Sequence, residues 1–137
     1  AGQVGWAPLL ELSPEQWRFS VEHKLMGQVN LALIGQHYLN EGGSITLTSG
    51  VLVDQPVRYG AAASLANGAI EAFVRAAAIE LPRGLRINAV SPGVLVESMD
   101  QLAPFFRGFE PVPGERVARG YARSVEGADT GQVYVVQ

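Results

Sequence analysis

The side chains able to do chemistry are few in this sequence. Ser49 closes a β-branched run, Tyr59 stands just before a long helical pattern, and Lys24 lies on an earlier one. A hydroxyl can donate or accept a hydrogen bond, a phenol can exchange a proton, and an ammonium group can stabilise a phenolate. Acid–base chemistry is therefore the kind of reaction that these residue types could support.

Metal and thiol chemistry is disfavoured. The only two histidines, His23 and His37, are 14 residues apart on one helical pattern. That spacing is about 21 Å along a helix axis, too far for one metal ion. The sequence has no cysteine, and neither a Ser-His-Asp order nor an HExxH spacing occurs. We predict no metal site and no cysteine nucleophile.

The composition is that of a globular protein. Its 137 residues are 47% hydrophobic, which suits one domain with a packed core. The net charge of -3 argues against nucleic acid or an anionic membrane surface as a partner. No apolar run approaches the roughly 18 residues that a membrane span needs. We expect a soluble protein that binds a small molecule or another protein, and the lack of cysteine is compatible with the cytoplasm.

Two long helical patterns dominate the chain. The first, residues 13–40, begins with a capping box formed by Ser13 and Gln16, with Pro14 at the first helical position. The second, residues 61–81, is apolar almost all round. Its one polar stripe runs through Ser64, Asn67, Glu71 and Arg75. Such a helix should be buried on two sides, against a sheet and against a helix of this chain or a partner.

Three short apolar runs predict strands at residues 44–49, 85–90 and 132–136. Because helical patterns separate them, the strands should be parallel with right-handed crossovers. The predicted fold is an α/β doubly wound parallel sheet, with the second strand broken by residues 91–93. A sheet of three strands would expose an apolar edge, so we expect further strands outside this sequence.

An irregular lid is predicted between the second strand and a short helix near residues 115–124. Prolines 104, 111 and 113 surround Phe105, Phe106 and Phe109 in this segment. These aromatic side chains could line a hydrophobic substrate pocket, or they could simply anchor the lid to the core.

Two segments carry a family resemblance. NGAIEAFVRAAAIEL at residues 67–81 and RINAVSPG at residues 86–93 resemble, in this order and spacing, the catalytic half of the short-chain dehydrogenase/reductase family. The similarity extends over nearly the whole chain. It implies a Rossmann-type fold whose first half seats a dinucleotide on a glycine-rich turn. No such turn follows a strand in residues 1–137, so we expect one domain that is the C-terminal part of a longer protein.

The resemblance also implies catalytic positions. The family serine, which polarises the substrate carbonyl, falls on Ser49, although a strand-end serine also commonly bonds the local backbone. The family tyrosine falls on Ala63, the lysine on Asn67 and a supporting asparagine on Lys24. Positioned acid–base catalysis contributes about 10² to 10⁴-fold, and alanine has no proton to give. Ordinary family chemistry is therefore disfavoured.

A bound NAD or NADP is implied as well. By resemblance, Asn67 and the turn at Pro92 and Gly93 would contact this cofactor. The family threonine that contacts the nicotinamide carboxamide falls on Glu97, and a carboxylate is a poor neighbour for cofactor phosphates.

A rewired site is the alternative for catalysis. Tyr59 lies four residues before Ala63, about one helical turn or 5.4 Å away. Its phenol could reach inward, and Lys24 could supply the cation that Asn67 lacks. This hypothesis predicts that the Tyr59 oxygen and the Lys24 nitrogen converge on Ser49. The simpler reading is a tyrosine covering a helix end and a lysine at the surface.

Three functions remain open from sequence. The first is an NAD- or NADP-dependent oxidoreductase acting on a carbonyl or alcohol substrate. The second is a non-catalytic relative that serves as a binding or dimerisation module, and the third is a structural half-domain of a larger enzyme. By resemblance, helices 13–40 and 61–81 would pack against their copies in a homo-oligomer.

Overall fold

Three parallel strands, in the order β1-β2-β3, form the sheet of the computed structural model, which describes residues 2–137. They are β1 (Ser44–Thr48), β2 (Arg86–Pro92) and β3 (Val133–Val136). Ser44 pairs with Arg86 at the start of β1, and Ala89 pairs with Val133 at the start of β3. The predicted α/β fold with a parallel sheet is confirmed.

The helices lie between and around these strands. Short 3-10 turns also occur at Leu9–Glu11, Val51–Val53 and Val96–Ser98. The longer helical elements are α1 (Pro14–Ser20), a π-helical segment (Val21–Met26), α2 (Gly27–Gly35), α3 (Ala61–Glu80), α4 (Met99–Leu102) and α5 (Gly114–Glu126).

The first long helix begins as predicted but is not a regular α-helix throughout. Ser13 and Gln16 form the capping box, with the Gln16 amide 3.2 Å from the Ser13 hydroxyl. The middle of the helix is π-helical, and α2 ends at Gly35 rather than near residue 40. Gly2 packs against the π-helical backbone so closely that a Cβ there would lie 2.4 Å from the Lys24 Cα. π-helical turns are uncommon and often lie at functional sites.

Helices cover both faces of the sheet. On one face, Ile70 and Val74 of α3 are fully buried with Ile87 of β2, in a cluster that α2 joins through Ala32. On the other face, Val117 of α5 packs with residues of β2 and β3. This two-sided cover explains why β2, the central strand, is buried along most of its length.

The second strand extends further than predicted. Pro92 was expected to break it, but β2 continues through Pro92, which pairs with Val136. The Ala89 amide donates to the carbonyl of Gln132, just before β3, and the Gly93 amide donates to the carbonyl of Val136 in β3. By the two-residue alternation of a strand, the Pro92 nitrogen faces the other side, where β1 has already ended. Proline has no N–H to donate, but no backbone hydrogen bond between strands is lost at this position.

The lid runs from β2 to α5 and is tied down at both ends. Leu95 and Val112 form a β-bridge, and Phe106 is buried against Val51, Ala63 and their neighbours. Among the helices described in residues 2–137, none combines the length and the apolar character needed to cross a bilayer.

Candidate functional site

A cavity of about 200 Å³ lies where β1 and β2 end, between the start of α3 and the lid. Ligands of open α/β sheets bind outside the carboxyl ends of the strands, and this cavity has that position. We call it the strand-end cavity. Its lining residues are Val4, Trp6, Lys24, Ser49, Gly50, Val51, Leu52, Ala63, Asn67, Pro92, Gly93, Val94, Leu95, Ser98, Leu102 and Phe106.

Five of the six candidate site residues lie on the wall of this cavity. They are Lys24, Ser49, Asn67, Pro92 and Gly93. The exception is Tyr59, which lines a different cavity beside the start of α3. The structure thus brings the predicted positions together at one end of the sheet without the tyrosine.

The Ser49 hydroxyl is engaged in a buried hydrogen bond. It donates to the Glu71 carboxylate at 2.7 Å, and both residues are buried. Arg75, at 3.8 Å from the same carboxylate, is largely exposed. A hydroxyl has one proton, so Ser49 would have to release Glu71 before it could donate to a substrate carbonyl. The sequence places Glu71 on the polar stripe of α3, but no sequence pattern predicts its pairing with Ser49.

The side-chain oxygen of Asn67 lacks a partner in the described part of the chain. This atom is buried and accepts no hydrogen bond within residues 2–137. The side-chain nitrogen lies beside Gly50, where a Cβ would approach it to 3.0 Å. A buried polar group left unpaired costs about 1–3 kcal/mol. A ligand that donates a hydrogen bond to this oxygen would remove the cost of leaving it unpaired.

Lys24 extends from the π-helical segment to the cavity wall. Burial lowers the pKa of its amine below the ordinary lysine value of 10.5. Within the described residues, its amine makes no hydrogen bond and no ion pair, and no acidic side chain lines the cavity. The amine therefore has no countercharge that would hold it permanently protonated.

Tyr59 belongs to an aromatic contact outside the strand-end cavity. Its ring meets Phe105 edge-on, with the ring centroids 6.1 Å apart, and Phe105 in turn packs on Trp6 at 5.5 Å. Tyr59 has a positive φ of 68° immediately before Gly60, the N-cap of α3. A bulky side chain rarely adopts that conformation, because it costs free energy. A catalytic role for Tyr59 stays a prediction.

The remaining polar candidates have structural partners. Glu97 accepts a hydrogen bond from the Gly114 amide at the start of α5, 3.2 Å away, where a helix dipole favours a carboxylate. His23 accepts from the Gln3 amide at 3.2 Å. In the part of the chain that is described, no group of histidine and acidic side chains has a metal-binding arrangement.

The sequence matches known proteins along almost its whole length. Residues 1–136 match the family model described as enoyl-(acyl carrier protein) reductase. An uncharacterized oxidoreductase of Methylorubrum extorquens is 33% identical over 97 residues, which are 70% of this chain and 39% of that protein. The chain thus spans about two fifths of the length of that curated relative.

Solved structures agree with this match. The protein lin1944 from Listeria innocua is 52% identical with a TM-score of 0.98, over 99% of this chain and 68% of that one. A small-chain dehydrogenase solved in complex with NADPH is 27% identical with a TM-score of 0.85, over 98% and 68% of the two chains.

Proposed function

This chain belongs to the short-chain dehydrogenase/reductase family, and we propose that it carries the substrate side of an NAD- or NADP-dependent oxidoreductase acting on a carbonyl or alcohol. One observation carries the proposal, namely the meeting of Lys24, Asn67 and the end of β2 at Pro92 and Gly93 around the strand-end cavity. The walls are otherwise mostly apolar, which suits a small ligand with one polar group.

The cavity residues are compatible with a nicotinamide group. The unpaired Asn67 amide offers a hydrogen bond, and Gly93 is packed so tightly that a Cβ there would lie 3.0 Å from the Val112 side chain. Asn67 and the backbone at Pro92 and Gly93 would hold the polar edge of the nicotinamide. When bound, this group supplies or accepts a hydride. One similar structure contains NADPH, and no described residue distinguishes NAD from NADP.

Lys24 is the proposed proton carrier of this site. The Ala63 side chain has no exchangeable proton, and the Ser49 hydroxyl already donates a hydrogen bond to Glu71. Lys24 lines the same cavity, and its lowered pKa brings proton exchange closer to neutral pH. Lys24 would protonate the oxygen of a carbonyl substrate on reduction, or remove the hydroxyl proton of an alcohol on oxidation. The apolar side chains of the lid would exclude water from this exchange.

A role for Tyr59 in the same reaction is proposed separately, because its ring lines the neighbouring cavity. A movement of the lid would have to separate Tyr59 from Phe105 first. Tyr59→Phe keeps the ring contact and removes only the hydroxyl. Unchanged turnover in this variant would argue that Tyr59 has no catalytic role.

Turnover measurements test the proposal. The full-length protein, with the dinucleotide-binding part expected outside residues 1–137, is assayed with NADH or NADPH against small ketones and aldehydes, comparing wild type with Lys24→Met and the exposed control Arg18→Met. We expect Lys24→Met to lower kcat by about 10²-fold or more, the usual contribution of positioned acid–base catalysis, with Arg18→Met near wild type. Wild-type activity in Lys24→Met would exclude Lys24 as the proton carrier. Absence of turnover with every substrate and both cofactors would reject the oxidoreductase.

The second candidate is a non-catalytic binding or dimerisation module, and the surface of the two long helices favours it. Tyr38, just after α2, is 84% exposed, and Ile79 of α3 is 86% exposed. Leu31 and Ile34 of α2 are also exposed. Contiguous exposed apolar residues often mark an interface. We propose a homo-oligomer through helices 13–40 and 61–81.

Gel filtration with light scattering tests this interface. We expect Ile79→Glu to shift the protein towards the monomer, because a carboxylate cannot be buried there without a partner. Leu10→Glu, at a fully exposed apolar residue away from α2 and α3, serves as the control. If Ile79→Glu elutes with the mass of wild type, the proposed interface does not include this helix face.

A further inference from the structure

Lys24 is the only lysine among the ten lysine and arginine residues of the sequence. Lysine side chains usually lie at the surface with the amine in water. Here the single lysine is only partly accessible and reaches the strand-end cavity, whereas exposed positions such as Arg18 and Arg107 carry guanidinium groups. A guanidinium group stays protonated in proteins, but an amine can lose its proton and become a nucleophile.

The surroundings of this amine favour its neutral form. The lining of the cavity contains no carboxylate, and most of its side chains are apolar, including Val51, Leu52 and Phe106. Desolvation lowers the pKa of Lys24, which increases the fraction of neutral amine at neutral pH. A lysine desolvated in an apolar pocket is one of the recognised ways in which proteins prepare an amine for attack on a carbonyl carbon.

The cavity also has room for a reactant. Its volume of about 200 Å³ exceeds the roughly 150 Å³ of an engineered apolar cavity that accommodates benzene. The side chain of Ala63 is small, so it leaves space in the cavity beside α3. The unpaired Asn67 side-chain oxygen adds a hydrogen-bond acceptor on the same wall, suited to the hydroxyl group of a carbinolamine.

From this arrangement we infer that Lys24 is a covalent capture site for small aldehydes and ketones, which it binds as an imine in the strand-end cavity. The lysine nitrogen adds to the carbonyl carbon, and the carbonyl oxygen takes up the proton that nitrogen loses, giving a carbinolamine. The second nitrogen proton and the hydroxyl group then leave as water, and the C=N bond forms. Nothing is oxidised or reduced, so the step needs no cofactor.

This inference goes beyond the proposed oxidoreductase. It uses the same cavity and the same side chain, but it needs no nicotinamide and no turnover. Imine formation at Lys24 without aldehyde reduction would support the capture site and leave the oxidoreductase activity unsupported. Aldehyde reduction without imine formation at Lys24 would support the oxidoreductase activity and contradict the capture site.

Reductive trapping tests the capture site. The folded full chain is incubated at neutral pH with propanal and cyanoborohydride, which reduces an imine to a stable secondary amine, and no nicotinamide is added. Peptide mass mapping then locates the modified amine, with the N-terminal amine of the same molecules as an internal standard. We expect Lys24 to be modified several-fold faster in the folded chain than in the chain unfolded in urea, relative to that standard.

Two variants separate reactivity from mere accessibility. Lys24→Arg keeps the positive charge and should lose the internal modification completely. Ala63→Leu keeps the lysine but reduces the cavity, so trapping at Lys24 should fall several-fold while circular dichroism confirms that the chain is folded. If either variant fails to fold, the rates of Lys24 modification in folded and unfolded wild type still test the inference. Modification of Lys24 that is no faster in the folded chain overturns the inference.

Discussion

Two buried asparagines, one on each face of the sheet, have opposite environments. Asn88 of β2 faces α5, and its amide donates to the Ser124 hydroxyl at 3.2 Å and to the Asp129 carbonyl at 3.0 Å. Its oxygen accepts from the Gln132 amide at 3.0 Å. Asn67 of α3 is nearly as buried, and its side-chain oxygen accepts no hydrogen bond within residues 2–137.

The difference separates a region closed by hydrogen bonds from one that holds buried polar atoms without a partner beside the candidate site. The α5 face is closed by polar contacts, since Arg86 also donates to the last carbonyls of that helix at Ser124 and Val125. Besides Asn67, the one buried side chain without a partner in the described part of the chain is Ser91, next to Pro92. Buried polar groups are normally satisfied, so the two exceptions mark the end of the sheet where the cavity lies.

Asn88→Ala should have the largest effect on stability. It removes three hydrogen bonds and leaves the Ser124, Asp129 and Gln132 groups without those partners. At about 0.5–1.5 kcal/mol for each of the three hydrogen bonds, the expected loss is roughly 3 kcal/mol. Urea unfolding measures it, with the exposed Asn40→Ala as control. A loss of less than about 1 kcal/mol would contradict the structural role of this network.

Ser49→Ala should cost less, about 1–3 kcal/mol, because the buried Glu71 carboxylate loses its donor. A double-mutant cycle with Glu71→Gln isolates the pair, and we expect a measurable coupling free energy. The kcat of Ser49→Ala is also compared with that of wild type. If the serine only supports the fold, kcat per folded molecule should be unchanged. Zero coupling combined with a large loss of kcat would instead favour Ser49 as a residue that polarises the substrate.

The contrast between the two regions also explains what the sequence could predict. The strand and helix patterns follow from apolar periodicity, so the parallel sheet and α3 were predicted within a few residues. The capping box at Ser13 was equally visible, because it depends on residues close in the chain. The pairing of Ser49 with Glu71 joins residues 22 positions apart. No local pattern encodes it.

Other departures have similar physical causes. The extension of β2 through Pro92 depends on where β1 ends, which is a property of the assembled sheet. The π-helical turn around Lys24 is accompanied by the close approach of Gly2 to its backbone. The direction of the Tyr59 side chain depends on its positive φ and on the lid residue Phe105. The family resemblance predicted which positions lie around the cavity. Their hydrogen-bond partners and burial depend on tertiary contacts, which no local sequence pattern encodes.

Lys24→Met should have a smaller effect on stability, and one that depends on pH. Because burial lowers the pKa of Lys24 below 10.5, the unfolded chain binds more protons than the folded chain between the lowered value and 10.5. Wild-type stability therefore rises with pH across that window. Relative to wild type, Lys24→Met should be most stabilised at neutral pH, and the advantage should shrink as pH approaches 10.5.

Thermal unfolding at a series of pH values measures this difference, with Arg18→Met as the exposed control. A difference in Tm between Lys24→Met and wild type that is the same at every pH would contradict a desolvated amine. It would also remove the main electrostatic reason for expecting imine formation at this side chain.

Asn67→Ala should have the smallest effect on stability and a clear effect on binding. Truncation removes packing contacts, but it also removes a buried side-chain oxygen that has no partner within residues 2–137, and the two contributions oppose each other. We expect the free energy of unfolding to change by less than about 1 kcal/mol, in contrast to Asn88→Ala. A ligand that uses the Asn67 amide stabilises only the folded chain, so NADPH should raise the Tm of wild type more than that of Asn67→Ala. A loss as large as that of Asn88→Ala would mean that the Asn67 amide is satisfied in the folded protein, and the two faces of the sheet would then be alike.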